Sequence, residues 1–331
     1  MRPLRTRQLG RLCLAVALLA AGSVQAGVHS GDLFMKKRRQ QGILTGMPFM
    51  ANVATRTFVD DLGRKIYLAR PPVRIVSLAP SITETLFAVG LDQEIVGVTP
   101  FCDYPAQAKG KAKVGYASPN IETIVALKPD LVLAPREFMR ADILTKLEQL
   151  KITTFILDAK SIEEIPSHVQ TLGRIVDRTQ EADRVATGIR QRFAEIKARM
   201  EPLARPRVLY VLNTTPFITV GPGSYIHQLI ELAGGANVAA GARAPYPRLN
   251  LEAVLKEDPQ ILVFPVGSAE GIPESEQKQW QRWTSMSAVK QGRFHTVSSE
   301  LLNRPGPRIV EGLEALARII HPEVFDQAGA R

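Results

Sequence analysis

The chain has 331 residues, of which 45% are hydrophobic and 22% are charged, and its formal net charge is +10. This length is more than one compact core usually holds and suits two α/β lobes, while the ordinary composition excludes a fibrous or wholly disordered protein. The two cysteines, Cys13 and Cys102, are too few for a disulfide scaffold or a thiolate metal cluster.

The first 26 residues have the pattern of an export signal. A basic start with four arginines precedes a short apolar run, 12–21, and the small-residue cleavage site Val24-Gln25-Ala26. The apolar run is too short to cross a bilayer. Its removal takes away four arginines and no acids, which lowers the formal charge from +10 to +6. We therefore expect a soluble protein that is exported to a bacterial periplasm.

Residues 27–56 lack a sustained periodicity and are predicted to form a mobile arm. The basic run Lys36-Lys37-Arg38-Arg39 within this arm is interpreted as a solvated segment. A second start site, Met35, stays open, because the basic run would then precede the weakly apolar segment 43–54. No other basic cluster is interleaved with aromatic residues, so nucleic acid is not an expected partner.

The next segment, 57–178, is predicted to be an N-terminal α/β lobe. Apolar runs on both sides of an Asp-Leu-Gly turn in 57–68 predict a leading hairpin. Strand and helix patterns then alternate from 74 to 176, which indicates a mainly parallel sheet with helices on its faces.

One long helix, 179–203, is predicted to separate this lobe from a C-terminal lobe, 204–322, which a short tail, 323–331, follows. The helix has an apolar stripe at helical spacing, and Pro202 and Pro206 mark its end. A fresh strand pattern begins at Arg207 directly after it. The expected fold class is therefore α/β, with two Rossmann-like lobes joined by a single long rigid helix.

A repeated unit occurs once in each lobe. Asn120, Glu122 and Pro129 correspond to Asn250, Glu252 and Pro259 at a constant offset of 130. Each unit is typical of an Asn-capped short helix, a proline stop and a buried strand. A glutamate in the first turn is stabilised by the helix dipole, by about 0.3–1 kcal/mol. We expect one carboxylate at an equivalent position on each lobe.

Aromatic residues recur in the predicted loops at strand ends. They are Phe101, Tyr104, Tyr116, Phe217 and Tyr246. Ligands of open α/β sheets bind outside the carboxyl ends of the strands, so these rings are expected to line a cleft for a large, partly planar ligand. The alternative, that each ring only packs its loop onto a lobe, stays open for any single residue. Arg304 lies in a proline-rich turn and is expected to reach the mouth of this cleft.

Catalytic and cofactor motifs are not found in the sequence. No serine, cysteine or lysine has a recognisable base and oxyanion arrangement, and Gly221-Pro222-Gly223 lacks the ending of a phosphate loop. The histidines do not form a pair with metal-ligand spacing. We therefore expect neither a catalytic site, nor a resident metal or cofactor. A secreted two-lobed α/β enzyme remains the alternative from another class.

Several segments resemble the substrate-binding proteins of ABC importers for vitamin B12, ferric siderophores and haem, most closely the corrinoid branch. The resemblance covers residues 57–322. The segments are 74–84 with Pro80-Ser81-Ile82-Thr83-Glu84, Cys102-Asp103-Tyr104-Pro105, 120–130, Ala233-Gly234-Gly235-Ala236-Asn237 and Pro305-Gly306-Pro307-Arg308-Ile309.

This resemblance implies a fold of the helical-backbone metal-receptor type and a monomer that delivers a corrinoid to an ABC permease dimer in the inner membrane. A ferric siderophore or haem is the alternative ligand. The implied ligand-binding residues are Phe101, Asp103, Tyr104, Tyr116, Phe217, Tyr246 and Arg304. Glu122 and Glu252 match the family's permease-docking glutamates. The chain departs from the vitamin B12 proteins at Pro135 and Leu301, where they have tryptophans.

Overall fold

The computed structural model describes residues 55–116, 118–267 and 271–326. The predicted export signal, the basic run 36–39, nearly all of the predicted arm and the last residues of the tail lie outside this range. Within it, no helix combines the length and the apolar character that a membrane span requires.

The N-terminal lobe is a five-stranded parallel sheet preceded by an antiparallel hairpin. The sheet order is β5-β4-β3-β6-β7, and the hairpin pairs β1 with β2. The elements are β1 (Arg56–Val59), β2 (Lys65–Leu68), β3 (Ile75–Ser77), α1 (Pro80–Ala88), β4 (Ile95–Val98), β5 (Ala112–Lys113), α2 (Ile121–Ala126), β6 (Leu131–Pro135), α3 (Ala141–Gln149), β7 (Thr154–Leu157) and α4 (Glu164–Ile175), with 3-10 turns at Ala106–Gly110 and Arg136–Phe138.

The hairpin turn covers the open edge of β7. Asp61 donates its backbone N–H to Ile156 O, and Ile156 donates back to the buried carboxylate of Asp60. Arg64 bonds both Asp60 Oδ2, at 2.6 Å, and Thr154 O, at 3.0 Å. An edge strand presents unpaired N–H and C=O groups that favour pairing with other chains. The predicted hairpin therefore closes one edge of the sheet.

A single long helix, α5 (Thr179–Met200), joins the two lobes. At 1.5 Å per residue it is about 33 Å long. The helix ends at Met200, short of the predicted end at 203, because Pro202 cannot continue the backbone hydrogen bonds. It contacts α1 and α4 on one side, and helices of the second lobe on the other. Its buried face belongs to one hydrophobic core that continues from lobe to lobe.

The C-terminal lobe contains a four-stranded parallel sheet in the order β11-β8-β12-β13, and a two-stranded antiparallel ribbon of β9 and β10. The fold of two α/β lobes joined by one helix is thus confirmed. The elements are β8 (Arg207–Tyr210), β9 (Asn213–Thr214), β10 (Phe217–Ile218), α6 (Tyr225–Leu232), β11 (Ala236–Asn237), α7 (Leu251–Glu257), β12 (Ile261–Val266), α8 (Glu274–Gln279), α9 (Ser287–Lys290), β13 (Phe294–Ser298), α10 (Ser299–Leu302), α11 (Ile309–Ile320) and α12 (Pro322–Asp326), with a 3-10 turn at Trp280–Arg282.

The repeated unit has the predicted local structure in both lobes. Asn120 Oδ1 accepts from Thr123 N at 2.9 Å, and Asn250 Oδ1 accepts from Ala253 N at 2.8 Å. Each cap begins a short helix, α2 or α7, that leads into a central strand, β6 or β12. After each helix one residue adopts a left-handed conformation. In the first lobe this residue is Lys128, with φ 48°, and in the second lobe it is Asp258, with φ 45°.

The duplication also includes arginines that the sequence pattern did not single out. Arg74 donates to the carbonyls of Leu127 and Lys128 at the end of α2. In the second lobe Arg207 donates to the carbonyls of Glu257 and Asp258 at the end of α7. Arg74 directly precedes β3 and Arg207 begins β8. Since both strands lie inside their parallel sheets, these contacts fix each capped helix to its sheet.

Four charged residues form a contact between the lobes, which we call the interlobe clasp: Glu84 and Asp103 from the N-terminal lobe, and Arg304 and Arg308 from the C-terminal lobe. Arg308 donates to both carboxylate oxygens of Glu84, at 2.7 and 2.8 Å. Arg304 Nη1 lies 3.1 Å from Asp103 Oδ1 and 3.5 Å from Glu84 Oε1. The Arg308 guanidinium also stacks 4.0 Å from the ring centroid of Tyr104.

Two members of the interlobe clasp, Glu84 and Arg304, are buried, and Asp103 and Arg308 are partly exposed. The Glu84 side chain is 3% exposed and that of Arg304 is 8% exposed. Hydrogen bonding to Glu84 raises the pKa of Arg308 above its ordinary value, although burial opposes this. A Cβ atom at Gly306 would lie only 3.1 Å from Ser81 O, so glycine allows the turn to approach α1.

We predict that Glu84 and Arg308 are energetically coupled across the lobes. Glu84→Ala removes the carboxylate that Arg308 binds through both oxygens and leaves the buried Arg304 with Asp103 alone, so it should lower the free energy of unfolding by about 3–5 kcal/mol. In a double-mutant cycle with Arg308→Ala, measured by urea denaturation, the coupling should exceed about 1.5 kcal/mol.

The control is the exposed pair Arg192–Glu314, which joins α5 to α11. Its coupling in the same cycle should stay below about 1 kcal/mol, because solvent screens the charges. If the two pairs had equal coupling energies, the prediction that Glu84 and Arg308 are strongly coupled across the lobes would be wrong.

Candidate ligand-binding cleft

A cleft of about 570 Å³ lies between the two lobes. Its walls come from both lobes and combine apolar, aromatic and charged side chains. The lining residues that matter below are Ser81, Tyr116, Arg136, Glu137, Asp158, His168, Tyr225, Tyr246, Asn303 and Arg304. The volume lies within the range of small-molecule sites.

The cleft lies at the carboxyl ends of the parallel strands, where open α/β sheets bind their ligands. In the N-terminal lobe, its wall includes the segments that directly follow β3, β6 and β7. In the C-terminal lobe, Leu212 follows β8, and Asn303 and Arg304 follow α10. The topology of both sheets therefore brings these loops to the same place.

Two of the predicted aromatics, Tyr116 and Tyr246, face the cleft from opposite lobes. Phe101 contacts the Tyr116 ring edge-on, at a centroid distance of 4.6 Å. The loop that carries Tyr246 is fixed by its flanking prolines, because Pro245 O accepts from Gly221 N and Pro247 O accepts from Thr219 N. Both rings are thus held by the local backbone or by a neighbouring ring.

The other predicted ligand-binding residues lie at different positions. Arg304 lines the cleft and belongs to the interlobe clasp with Asp103. Tyr104 is 48% exposed and stacks on Arg308. Phe217 is not among the lining residues and packs against Trp280, at a centroid distance of 5.1 Å. For Phe217, the open alternative of a ring that packs its own loop describes the observed contact.

Sequence reasoning missed a charged wall in the N-terminal lobe. Arg136 Nη1 lies 3.4 Å from Asp158 Oδ2, and Glu137 lines the same wall. Nearby, His168 Nε2 lies 2.9 Å from Asp61 Oδ2 of the hairpin turn. Burial raises the pKa of Asp61, but the hydrogen bond and charge of His168 outweigh this and hold that pKa below its usual 3.8.

The sequence did contain a signal for part of this wall. Arg136 and Glu137 follow the predicted strand that became β6, and Asp158 directly follows β7. The strand-end rule that selected the aromatic residues would also have selected them. His168 has no such signal, because it lies within α4 and reaches the cleft only through the packing of that helix.

Tyr246 faces two carboxylates across the cleft. This tyrosine is 48% exposed. Its partial burial raises its pKa above 10.0, and the negative charges of Glu137 and Asp158 raise it further. The phenol therefore keeps its proton at neutral pH, and it is a hydrogen-bond donor toward anything in the cleft.

The two repeated glutamates lie on the surface, one on each lobe. Glu122 and Glu252 are both exposed, and each occupies the first turn of its Asn-capped helix. Their spacing depends on α5 and the interlobe clasp, since these elements connect the lobes.

Comparisons with known proteins agree with this architecture. A profile of the periplasmic binding protein family matches residues 75–301. The chain is 34% identical over 248 residues to a vitamin B12-binding protein of Vibrio vulnificus, with 74% of this chain and 89% of that protein covered.

Two solved structures are also similar. The periplasmic vitamin B12 binding protein of Vibrio cholerae has a TM-score of 0.66 at 30% identity, covering 76% of this chain and 97% of that one. A periplasmic haem-binding protein of Pseudomonas aeruginosa has a TM-score of 0.67 at 26% identity, covering 76% and 93%. The chain therefore belongs to the family of periplasmic binding proteins, transport proteins that bind a small-molecule substrate.

Proposed function

We propose that this protein binds a corrinoid, vitamin B12 or a precursor, between its lobes and delivers it to an ABC importer permease. The observation that carries the proposal is the cleft, in which Tyr116 and Tyr246 face the ligand space from opposite lobes. Flat aromatic faces suit a macrocycle, because they bury apolar area at little cost in side-chain entropy. The vitamin B12-binding relatives support the same ligand class.

The polar groups of the cleft suit the rim of a corrinoid, which carries carboxamides. Arg136, Tyr246 and Arg304 supply N–H or O–H donors, and Asp158 and Glu137 supply acceptors. A carboxamide has both a donor and an acceptor, so it is complementary to such a mixed wall. Phe101, Asp103 and Tyr104 act in this proposal as supports for the residues that face the ligand. Phe217 remains a weaker candidate contact.

Haem is the second candidate, because tyrosine and histidine side chains that could ligate iron line the cleft. The corrinoid is placed first because the vitamin B12-binding relatives are 34% and 30% identical to this chain, whereas the haem-binding neighbour of Pseudomonas aeruginosa is 26% identical.

Isothermal titration of the purified protein with cyanocobalamin, dicyanocobinamide, haemin and a ferric siderophore tests the ligand class. We expect saturable heat with the corrinoids. Tyr246→Ala should weaken that binding about tenfold to a hundredfold, through the loss of ring contact worth about 1.5–3 kcal/mol.

The matched control is Tyr67→Ala, since Tyr67 is 60% exposed on the hairpin and does not line the cleft. Its corrinoid affinity should equal that of the unmodified protein. Saturable heat with haemin or the siderophore, together with none from either corrinoid, would contradict the proposal.

We further propose that Glu122 and Glu252 dock the protein onto the permease. Two exposed carboxylates on rigidly connected lobes suit a two-point contact with a partner that presents arginines. The double variant Glu122→Ala with Glu252→Ala should abolish corrinoid-dependent growth in a host that carries the cognate permease, while corrinoid binding in solution is retained.

An equal charge change elsewhere provides the control for docking. Glu163→Ala with Glu257→Ala also removes one exposed glutamate from each lobe, outside the repeated positions. Growth should persist in this control. Normal growth of the Glu122/Glu252 variant would contradict the docking proposal. Both glutamates would then only stabilise the first turns of their helices.

A further inference from the structure

We propose that the cleft is charge-balanced, so that it selects ligands with uncharged carboxamide side groups against otherwise identical ligands that carry carboxylates. This inference rests on the proposed function and concerns the same cleft. It follows from the partners of the two arginines that line the described cleft, Arg136 and Arg304.

Arg304 is the cation that an anionic ligand would be expected to use, but it is already neutralised. Its Nη1 lies 3.1 Å from Asp103 and 3.5 Å from Glu84, and its side chain is 8% exposed. The neighbouring Arg308 binds both oxygens of Glu84. Two cations therefore meet two carboxylates at this end of the cleft. A ligand carboxylate near Arg304 would also meet the half-buried charge of Asp103.

On the opposite wall the cations are also paired with carboxylates. Arg136 lies 3.4 Å from Asp158, and Lys160 lies 3.6 Å from the same carboxylate. Glu137 adds a further negative charge beside Tyr246. His168 faces Asp61. Arg136, Lys160 and His168 therefore each have a carboxylate partner.

A carboxylate placed in this cleft loses hydration without gaining an uncommitted cation, and the carboxylates of both walls repel it. A carboxamide of the same shape loses less hydration and finds both donors and acceptors on the walls. The paired charges of the cleft therefore discriminate between ligands of the same shape by their charge.

Matched ligands test this inference without a change of shape. Cyanocobalamin is compared with its monocarboxylic acids, in each of which one peripheral propionamide is hydrolysed, by isothermal titration at pH 7. The phosphate group is common to all of them. We expect at least one acid to bind about tenfold more weakly than the parent and none to bind more tightly. Equal affinity for all the acids, or tighter binding of any acid, would overturn the inference.

The variant Asp103→Asn links the discrimination to the interlobe clasp. It keeps a hydrogen-bond acceptor for Arg304 but removes one negative charge, so the affinity ratio of parent to acid should fall at least about threefold. Asp142→Asn makes the same charge change at an exposed site on α3 that does not line the cleft, and its ratio should match the unmodified protein. Thermal unfolding confirms that both variants fold. An unchanged ratio in Asp103→Asn would overturn the role of the interlobe clasp.

If the proposed function is wrong, the titrations give a different result from the one expected if only the charge-balance inference is wrong. If no corrinoid binds, the same comparison is made with haemin and haemin dimethyl ester, in which two carboxylates become neutral esters. The charge-balanced cleft predicts that the ester binds more tightly than haemin. Tighter binding of haemin would overturn the inference, and absence of binding by every ligand would overturn both proposals.

Discussion

Glu84 of the N-terminal lobe meets Arg304 and Arg308 of the C-terminal lobe beside the cleft, and the geometry of the cleft depends on that contact. Glu84 and Arg304 are buried, and buried charges are costly unless they are paired with good geometry, so separation or rotation of the lobes here would leave these charges without partners. The helix α5 adds a second constraint, because its buried face belongs to a core shared by both lobes. Together the two connections favour a cleft that exists before the ligand arrives.

The same contact shapes the chemistry of the site. The carboxylates that hold Arg304 and Arg308 also neutralise them, so the structural requirement and the charge of the cleft are linked. The aromatic faces of Tyr116 and Tyr246 then provide apolar contact, and a mixed polar wall surrounds them. Such a site binds by shape and hydrogen bonding more than by net charge. Glu122 and Glu252 are exposed, one on each of the two lobes that the interlobe clasp and α5 connect.

Local signals predicted much of this fold. The Asn120 and Asn250 caps, the hairpin and the long helix each depend on residues that are close in sequence, and capping or periodicity is sufficient to predict them. The interlobe clasp could not be predicted in this way, since Glu84 and Arg308 are 224 residues apart and meet only when both lobes pack on α5. For the site, the strand-end rule predicted Tyr116 and Tyr246 at the cleft, and a proline-rich turn predicted Arg304 there, but neither signal specifies side-chain direction. Phe217 consequently packs on Trp280, while His168 reaches the cleft from within a helix.

The central claim, that the lobes are held at a fixed distance before the ligand binds, can be measured directly. Spin labels at Glu122→Cys and Glu252→Cys, with Cys13 replaced by serine and the buried Cys102 retained, report the distance between the lobes by pulsed electron paramagnetic resonance. The account predicts one narrow distance distribution that saturating cyanocobalamin shifts by less than about 2 Å, and a broader distribution when Glu84→Ala is added. A broad distribution without ligand, or a larger shift on binding, would contradict it.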